Sequence, residues 1–205
     1  MRMNTAAATA GFNPSATADS DLVVRAIAGR EESFEELVRR YQRPIAAYVY
    51  RMVGDYDSAL DLTQEVFIKV YNSLARYRAE YKFSTWIYRI AHNSAIDHLR
   101  RHNMRFEDLE RSGEDGTSYE KPLASSAPTP EQMSERSERR AEIEGVVQNL
   151  PPAYRELITL RHALDFSYDE IAEVTGLPLG TVKNRIFRAR EAMREELSRR
   201  GITSV

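Results

Sequence analysis

Apolar residues recur at helical spacing in separate blocks along this chain. Leu22, Val23, Ala26 and Ile27 follow Asp19, Ser20 and Asp21, which can cap a short first helix ending at Gly29. A second helix begins near Glu31 and carries Phe34, Leu37, Val38 and Tyr41. Pro44 is expected to kink or break it, because proline removes an amide donor and clashes with the preceding turn. The pattern resumes through Ile45, Tyr48 and Met52 to Gly54. Asp55 and Asp57 offer caps for a third helix over about 56–76, with Leu60, Phe67, Tyr71 and Leu74 as its core face. Ser84 caps a fourth over about 85–102, with Ile87, Tyr88, Ala91, Ala95 and Leu99 as its stripe.

The pattern then stops. Residues 112–136 hold Gly113, Gly116, Pro122, Pro128 and Pro130 among many Ser, Thr and Glu, with too little apolar surface to offset the entropy of ordering. Helices resume over about 131–148, 152–164, 168–175 and 178–199. No period-two alternation bounded by turns occurs, so no sheet is expected. The expected fold is all-α: two small helical domains joined by a flexible linker.

Composition narrows the chemistry. The chain has no cysteine, which excludes a disulfide framework and cysteine-ligated metal sites. His92, His98 and His102 lie near one another, but beside Arg100 and Arg101, which would repel a cation, so no metal or other cofactor is expected. No run approaches the roughly 18 apolar residues of a membrane span, so no direct membrane insertion is expected. The Ala/Thr-rich start, residues 1–18, lacks the basic and apolar parts of a secretory signal and reads as a disordered tail. A cytoplasmic location follows. The net charge of −2 argues mildly against a nucleic-acid partner until it is read by segment. From Leu179 to Arg200 the basic residues Lys183, Arg185, Arg188, Arg190, Arg194, Arg199 and Arg200 face only Glu191, Glu195 and Glu196.

That basic segment is the second half of a helix-turn-helix pattern. Ser167 caps a short helix carrying Ile171, Ala172 and Val174, and Glu170 completes a capping box. Gly176 suits a left-handed helix end, and Pro178 suits the first turn of the next helix. On that next helix Val182, Ile186, Ala189, Met193 and Leu197 share one face, and Asn184, Phe187, Arg188 and Glu191 the opposite one. Phe187 in a polar face is suited to a thymine methyl, Asn184 to adenine and Arg188 to guanine. Thr181 and Lys183, near the helix start, can hold phosphates. Arg161 and Tyr168 are candidate backbone clamps. A solvated basic surface helix is the bland alternative; the capped first helix, the glycine turn and the exposed phenylalanine favour DNA.

The N-terminal half leaves more open. Opposite the fourth helix's stripe lie Trp86, Arg89, Ile90, Asn93, Asp97, Arg100 and Arg101. This face is either a stacking platform for unpaired bases or a tryptophan capping the core beside solvated arginines. On the third helix Asp61, Glu65 and Asn72 accompany Leu62 and Ile68. Acids interleaved with aliphatics fit a protein interface better than DNA, although burial of Leu62 and Ile68 within the domain explains them equally well. Tyr77 and Tyr81, with Arg76, Arg78 and Lys82, form a loop of a kind able to receive a flipped base, or an ordinary one.

Taken together, the motifs resemble the extracytoplasmic-function (ECF) sigma factors. Residues 61–71 (DLTQEVFIKVY) look like that family's polymerase-binding helix in region 2, and residues 83–93 (FSTWIYRIAHN) like its −10-reading segment. Residues 128–131 (PTPE) are similar to the approach to region 4, and 166–190 to region 4 itself. The resemblance implies region 2 over 19–111, the linker over 112–130, region 4 over 131–200 and a tail over 201–205. It implies that Asp61, Gln64, Glu65 and Ile68 contact the β′ clamp helices of core RNA polymerase, with the β flap a further contact. Leu74, Tyr77 and Arg78 would build the pocket for a base flipped from the opened −10 element, and Asn93 would approach the non-template strand. Trp86, Arg100 and Arg101 belong to the same −10 surface. Lys183, Asn184, Phe187 and Arg188 would read the −35 element as duplex. A cognate anti-sigma factor is a further implied partner.

Two rivals fare worse. A helix-turn-helix repressor would need a dimerisation surface and a ligand pocket in the first half, and residues 61–68 do not look like one. An enzyme would need a nucleophile–base pair, a Gly-rich phosphate loop or a metal cluster, and none is visible.

Overall fold

The structure, a computed structural model, describes residues 17–78, 80–101 and 135–202. The expected linker, most of the N-terminal tail, His102 and the last three residues lie outside the described residues. Eight α-helices are described: α1 (Asp19–Ile27), α2 (Glu31–Val53), α3 (Tyr56–Ser73), α4 (Phe83–Arg101), α5 (Glu135–Asn149), α6 (Pro152–Ile158), α7 (Tyr168–Thr175) and α8 (Leu179–Arg199). A 3-10 turn, Leu74–Arg76, extends α3, and a π turn, Thr159–Ala163, extends α6. No strand occurs among the described residues.

The first half packs α1, α3 and α4 around α2. Leu37, Ile45, Val49, Val66, Val70, Ile87, Ala91, Ala95 and Leu99 fill its centre. In the second half α6, α7 and α8 enclose Leu157, Leu160, Ile171, Val174, Val182 and Ile186. A smaller cluster of Val147, Leu150, Ile158 and Ala189 seats α5 against α8 and α6, with Tyr154 and Met193 at its edge. The two halves touch: α7 lies on α4, and α6 reaches α2.

Local signals set the helix ends. Asp55 accepts the amide of Ser58 at the start of α3. Ser167 accepts the amide of Glu170, whose carboxylate takes the amide of Ser167 in return, so the expected capping box is formed. Gly54 and Gly176 close α2 and α7 in the left-handed conformation, at φ 78° and 71°. Ser167→Ala is expected to destabilise the second half by about 1 kcal/mol, seen as an earlier urea or thermal transition.

Four local expectations need correction. Pro44 neither breaks nor ends α2, which runs unbroken past it. The proline lies on the exposed side, where water can replace the missing donor. Asp19 does not cap α1: the N-cap is Ala18, without a side-chain bond, and Asp19 instead holds Arg40 and the hydroxyl of Tyr41. Ser84 lies inside the first turn of α4, which begins at Phe83.

The fourth correction is the core face of α3. Ala59, Leu62, Thr63, Val66 and Val70 are buried, while Leu60 and Tyr71 are exposed. These buried side chains, with the partly buried Phe67 and with Leu74 beyond the helix end, face the rest of the domain. Tyr71 is left outside, edge-on to Phe34 with ring centroids 5.0 Å apart.

Candidate nucleic-acid interface

The second half presents its basic face on α8. The wheel is as expected: Val182, Ile186, Ala189 and Leu197 are buried, and Met193 is partly so. Lys183, Asn184, Phe187 and Arg188 are exposed, and Thr181 is half-buried one turn before Asn184. Phe187 leaves 64% of its surface in solvent, so its ring is available to a partner. The acids of α8 all lie in its second half, where Glu191 pairs with Arg194 and Glu196 with Arg199 and Arg200. The first half of the helix therefore projects positive charge undiluted.

Arg161 and Tyr168 come together beside this face. The guanidinium lies 5.6 Å from the centre of the Tyr168 ring. It donates to the Phe166 carbonyl at 3.0 Å and approaches Asp165 at 3.4 Å. These contacts hold the arginine pre-oriented at a half-exposed position. Burial, then Arg190 and Arg161, push the His162 pKa down, so its neutral Nε2 can accept from Arg190 at 3.4 Å.

In the first half, α4 displays Arg89, Asn93, Asp97, Arg100 and Arg101 to solvent on one side. Trp86, on the same side, is half-buried against Tyr77 and Phe83, with ring centroids 5.4 and 5.7 Å away. Trp86 thus packs against the core while part of it stays exposed, an arrangement compatible with either reading of it. Beside it lies a cleft of about 340 Å³ lined by Tyr77, Glu80, Tyr81, Lys82, Phe83 and Ser84, with Asp19 and Ser20 across from them. The Tyr77 hydroxyl donates to the Tyr81 carbonyl at 2.6 Å, which ties the loop across the cleft. Burial, then the charge of Asp19, hold the Tyr77 pKa above its ordinary value, so the phenol stays neutral. Leu74 is buried beneath this turn, and Arg78 is exposed beside the cleft without lining it.

On α3, Asp61, Gln64, Glu65 and Ile68 are all exposed and fall at positions that share one face. Ile68 is 61% exposed. The alternative of its burial within the domain is overturned, whereas Leu62 is buried. Leu60 and Tyr71, assigned to the core from the sequence, extend this exposed apolar and acidic surface. Their i, i+4, i+8, i+11 spacing with Gln64 and Ile68 carried that signal.

Contacts between the halves had no counterpart in the sequence. The buried Glu156 carboxylate accepts the Tyr48 hydroxyl at 2.7 Å and is paired through the same oxygen with Nδ1 of His92. Arg51 grips Glu144 at 2.7 and 3.0 Å, and Lys82 reaches Glu170 at 2.7 Å. These partners lie 64 to 108 residues apart in the chain, beyond any local pattern.

Comparison with known proteins matches the two halves separately. Residues 37–105 match the Sigma-70 region 2 family and residues 140–193 the Sigma-70, region 4 family. The chain is 39% identical over 180 residues to the RNA polymerase sigma-H factor of Pseudomonas aeruginosa, covering 87% of this chain and 93% of that protein. It is 38% identical over 176 residues to the ECF RNA polymerase sigma-E factor of Escherichia coli, covering 85% and 92%. It is 35% identical over 170 residues to the ECF RNA polymerase sigma factor SigW of Bacillus subtilis, covering 82% and 91%. Its fold resembles that of CnrH in complex with the cytosolic domain of CnrY, at TM-score 0.63 and 22% identity over 89% of this chain and 98% of that one. It resembles equally the sigma factor RpoE in complex with the anti-sigma factor NepR from Bartonella quintana, at TM-score 0.63 and 21% identity over 82% and 98%. With its region 2 and region 4 in this order and relatives well above 30% identical over nearly their whole length, the chain belongs to the ECF sigma factors of RNA polymerase.

Proposed function

We propose that this sigma factor divides promoter recognition among three surfaces. The face of α3 carrying Asp61, Gln64, Glu65 and Ile68 docks on the β′ clamp helices of core RNA polymerase, and region 4 meets the β flap. Acids mixed with exposed aliphatics suit a protein partner and repel phosphate. The cleft beside Tyr77, with the partly exposed Trp86 and the exposed Asn93, Arg100 and Arg101, takes unpaired bases of the −10 element. Leu74 supports this cleft from below and Arg78 flanks it. Lys183, Asn184, Phe187 and Arg188 read the −35 element in the major groove, with Thr181, Arg161 and Tyr168 on the backbone.

One observation carries the reading: two separate faces with base-reading chemistry lie on two halves of one chain. Strand opening then draws on binding energy, and no catalytic residue is invoked. Each face alone binds weakly, and linkage on one chain raises the effective concentration of the second. No described helix is long and apolar enough to cross a membrane. We place the protein in the cytoplasm with its polymerase, under the control of a cognate anti-sigma factor.

The test is a selection of polymerase-bound promoter duplexes randomised at the −35 element, with wild-type protein and Arg188→Ala. The variant is expected to lose about 1–3 kcal/mol of discrimination at one base position. Unchanged preference at every position would remove Arg188 from the reading surface.

A further inference from the structure

The basic face of α8 does not end at Arg188. Lys183, Phe187 and Arg190 recur at i, i+4 and i+7, so Arg190 lies one turn beyond Phe187 on the same exposed face. Farther along the helix Arg194, Arg199 and Arg200 are paired with Glu191 and Glu196. Arg190 makes no ion pair among the described residues. Its guanidinium turns back to the π turn after α6, where Nε and Nη2 both lie 3.4 Å from Nε2 of His162. That edge of a guanidinium, with two parallel N–H donors, is the one that matches a phosphate or a carboxylate. Here it faces a single lone pair, at a distance longer than an ordinary hydrogen bond. The fork is aimed but under-used.

His162, itself exposed, sits among like charges. Arg190 of α8, Arg161 of its own turn and Asp165 of the following loop are the charged groups around it. Asp165 is approached by Arg161 at 3.4 Å and is otherwise open to water. Burial, then Arg190 and Arg161, hold the imidazole below its ordinary pKa, so in the free protein it is neutral and accepts from Arg190. A third positive charge is unfavourable there until an anion arrives. A phosphate set between the two side chains changes that balance. Arg190 can give its fork to the phosphate, and a protonated Nε2 of His162 can donate to the same group. The phosphate favours the imidazolium, and the imidazolium strengthens the grip on the phosphate. Nδ1 keeps its proton throughout, so one proton is taken from solvent.

Position favours the DNA backbone over a base. In a helix-turn-helix the first residues of the second helix reach base edges. Arg190 lies two turns beyond Lys183, and the chain neighbour of His162, Arg161, is assigned to the backbone already.

We propose that His162 and Arg190 together hold one backbone phosphate of the −35 duplex, and that His162 takes up a proton as the duplex binds. The inference rests on the −35 reading of α8 and adds to it a dependence on pH. By linkage, proton and duplex strengthen each other's binding by the same factor. The bound form carries the extra proton. Affinity therefore rises as pH falls through the pKa of the bound form, and levels off only below that of the free form, which lies under the ordinary 6.5.

The test is fluorescence anisotropy of the full-length protein on core RNA polymerase, with the promoter duplex recovered in the −35 selection as probe. Salt is constant and pH runs from about 7.5 to about 5.5, across the range in which histidine titrates. The wild type is expected to bind roughly 10-fold tighter at the acid end, as for a pKa raised by about one unit. His162→Gln, which keeps an acceptor for Arg190, is expected to lose that gain. The other histidines and the polymerase are common to both proteins, so their effects cancel. Arg190→Ala should weaken binding to every −35 sequence alike and reduce the salt slope by about 1. Both side chains are exposed, so both variants should fold as the wild type does. Duplexes carrying one uncharged methylphosphonate at each −35 phosphate in turn should locate the contact, with a single position abolishing the acid gain. An equal pH dependence in wild type and His162→Gln, or none in either, overturns the proposal. So does an acid gain that no single methylphosphonate removes. Absence of −35 binding at every pH would overturn the −35 reading along with it.

Discussion

Replacing Ile68 by glutamate together with Gln64→Ala and Glu65→Ala is expected to abolish stable association with core RNA polymerase while leaving the helix content and melting of the protein unchanged. All three side chains are exposed, and substitutions away from buried contacts usually alter stability by no more than about 0.5 kcal/mol. An apolar anchor at the centre of a protein interface is worth about 2 kcal/mol or more, roughly 30-fold in affinity. Placing a charge there, and removing its two polar neighbours, compounds the loss. Promoter-directed transcription should fall at every promoter alike, because no DNA-reading group changes. Polymerase binding measured by size-exclusion chromatography, with circular dichroism as the control for folding, checks both halves of the expectation. Loss limited to particular promoters would contradict the assignment of this face.

The opposite pattern is expected of Ile186→Ala. This side chain is 1% exposed on the inner face of α8, one turn after Val182. Truncating it removes buried surface and leaves a cavity, at a cost of about 2–5 kcal/mol. Small domains have total stabilities of about 5–15 kcal/mol, so the change removes a large share of region 4's stability and should lower its melting temperature markedly. Binding to −35 duplex should then weaken, and fail at a lower temperature, although no residue assigned to DNA has changed, and region 2 still binds polymerase. Phe187→Ala is the control. It lies one position away but faces solvent, so it should weaken −35 binding without lowering the region 4 melting temperature. Equal melting of the two variants would contradict the assignment of Ile186 to the inner face of α8 and Phe187 to the outer one.

The contrast between these neighbours also marks what was legible in the sequence. In region 4 the signals are local and agree with one another. The Ser167–Glu170 box, Gly176 and the stripe through Val182, Ile186 and Ala189 fixed the helix-turn-helix and its outward face. On α3 two large apolar residues, Leu60 and Tyr71, pointed the wrong way, whereas Phe67 and Leu74 do pack on the core. Leu60 and Tyr71 were read as core because size outweighs position in such a reading, while the contact is made by Ala59, Leu62, Thr63, Val66 and Val70. The exposed partners of Ile68 were therefore missed. At the cleft proposed for −10 bases the sequence named Tyr77 and, beside it, Trp86, but not the wall supplied by Asp19 and Ser20, which the chain brings there from α1. The seam between the halves was illegible for a different reason. Tyr48, His92 and Glu156 each look like an ordinary helix position, and only the docking of two domains makes them a cluster.

The most direct test of the sigma function as laid out here is run-off transcription by bacterial core RNA polymerase supplied with this protein, using a library of promoter fragments. The expected result is transcription from defined start sites whose upstream DNA shares two elements at fixed spacing, lost when either element is scrambled. Fragment binding by the protein alone, with no association with polymerase and no start-site-specific transcripts, would contradict it.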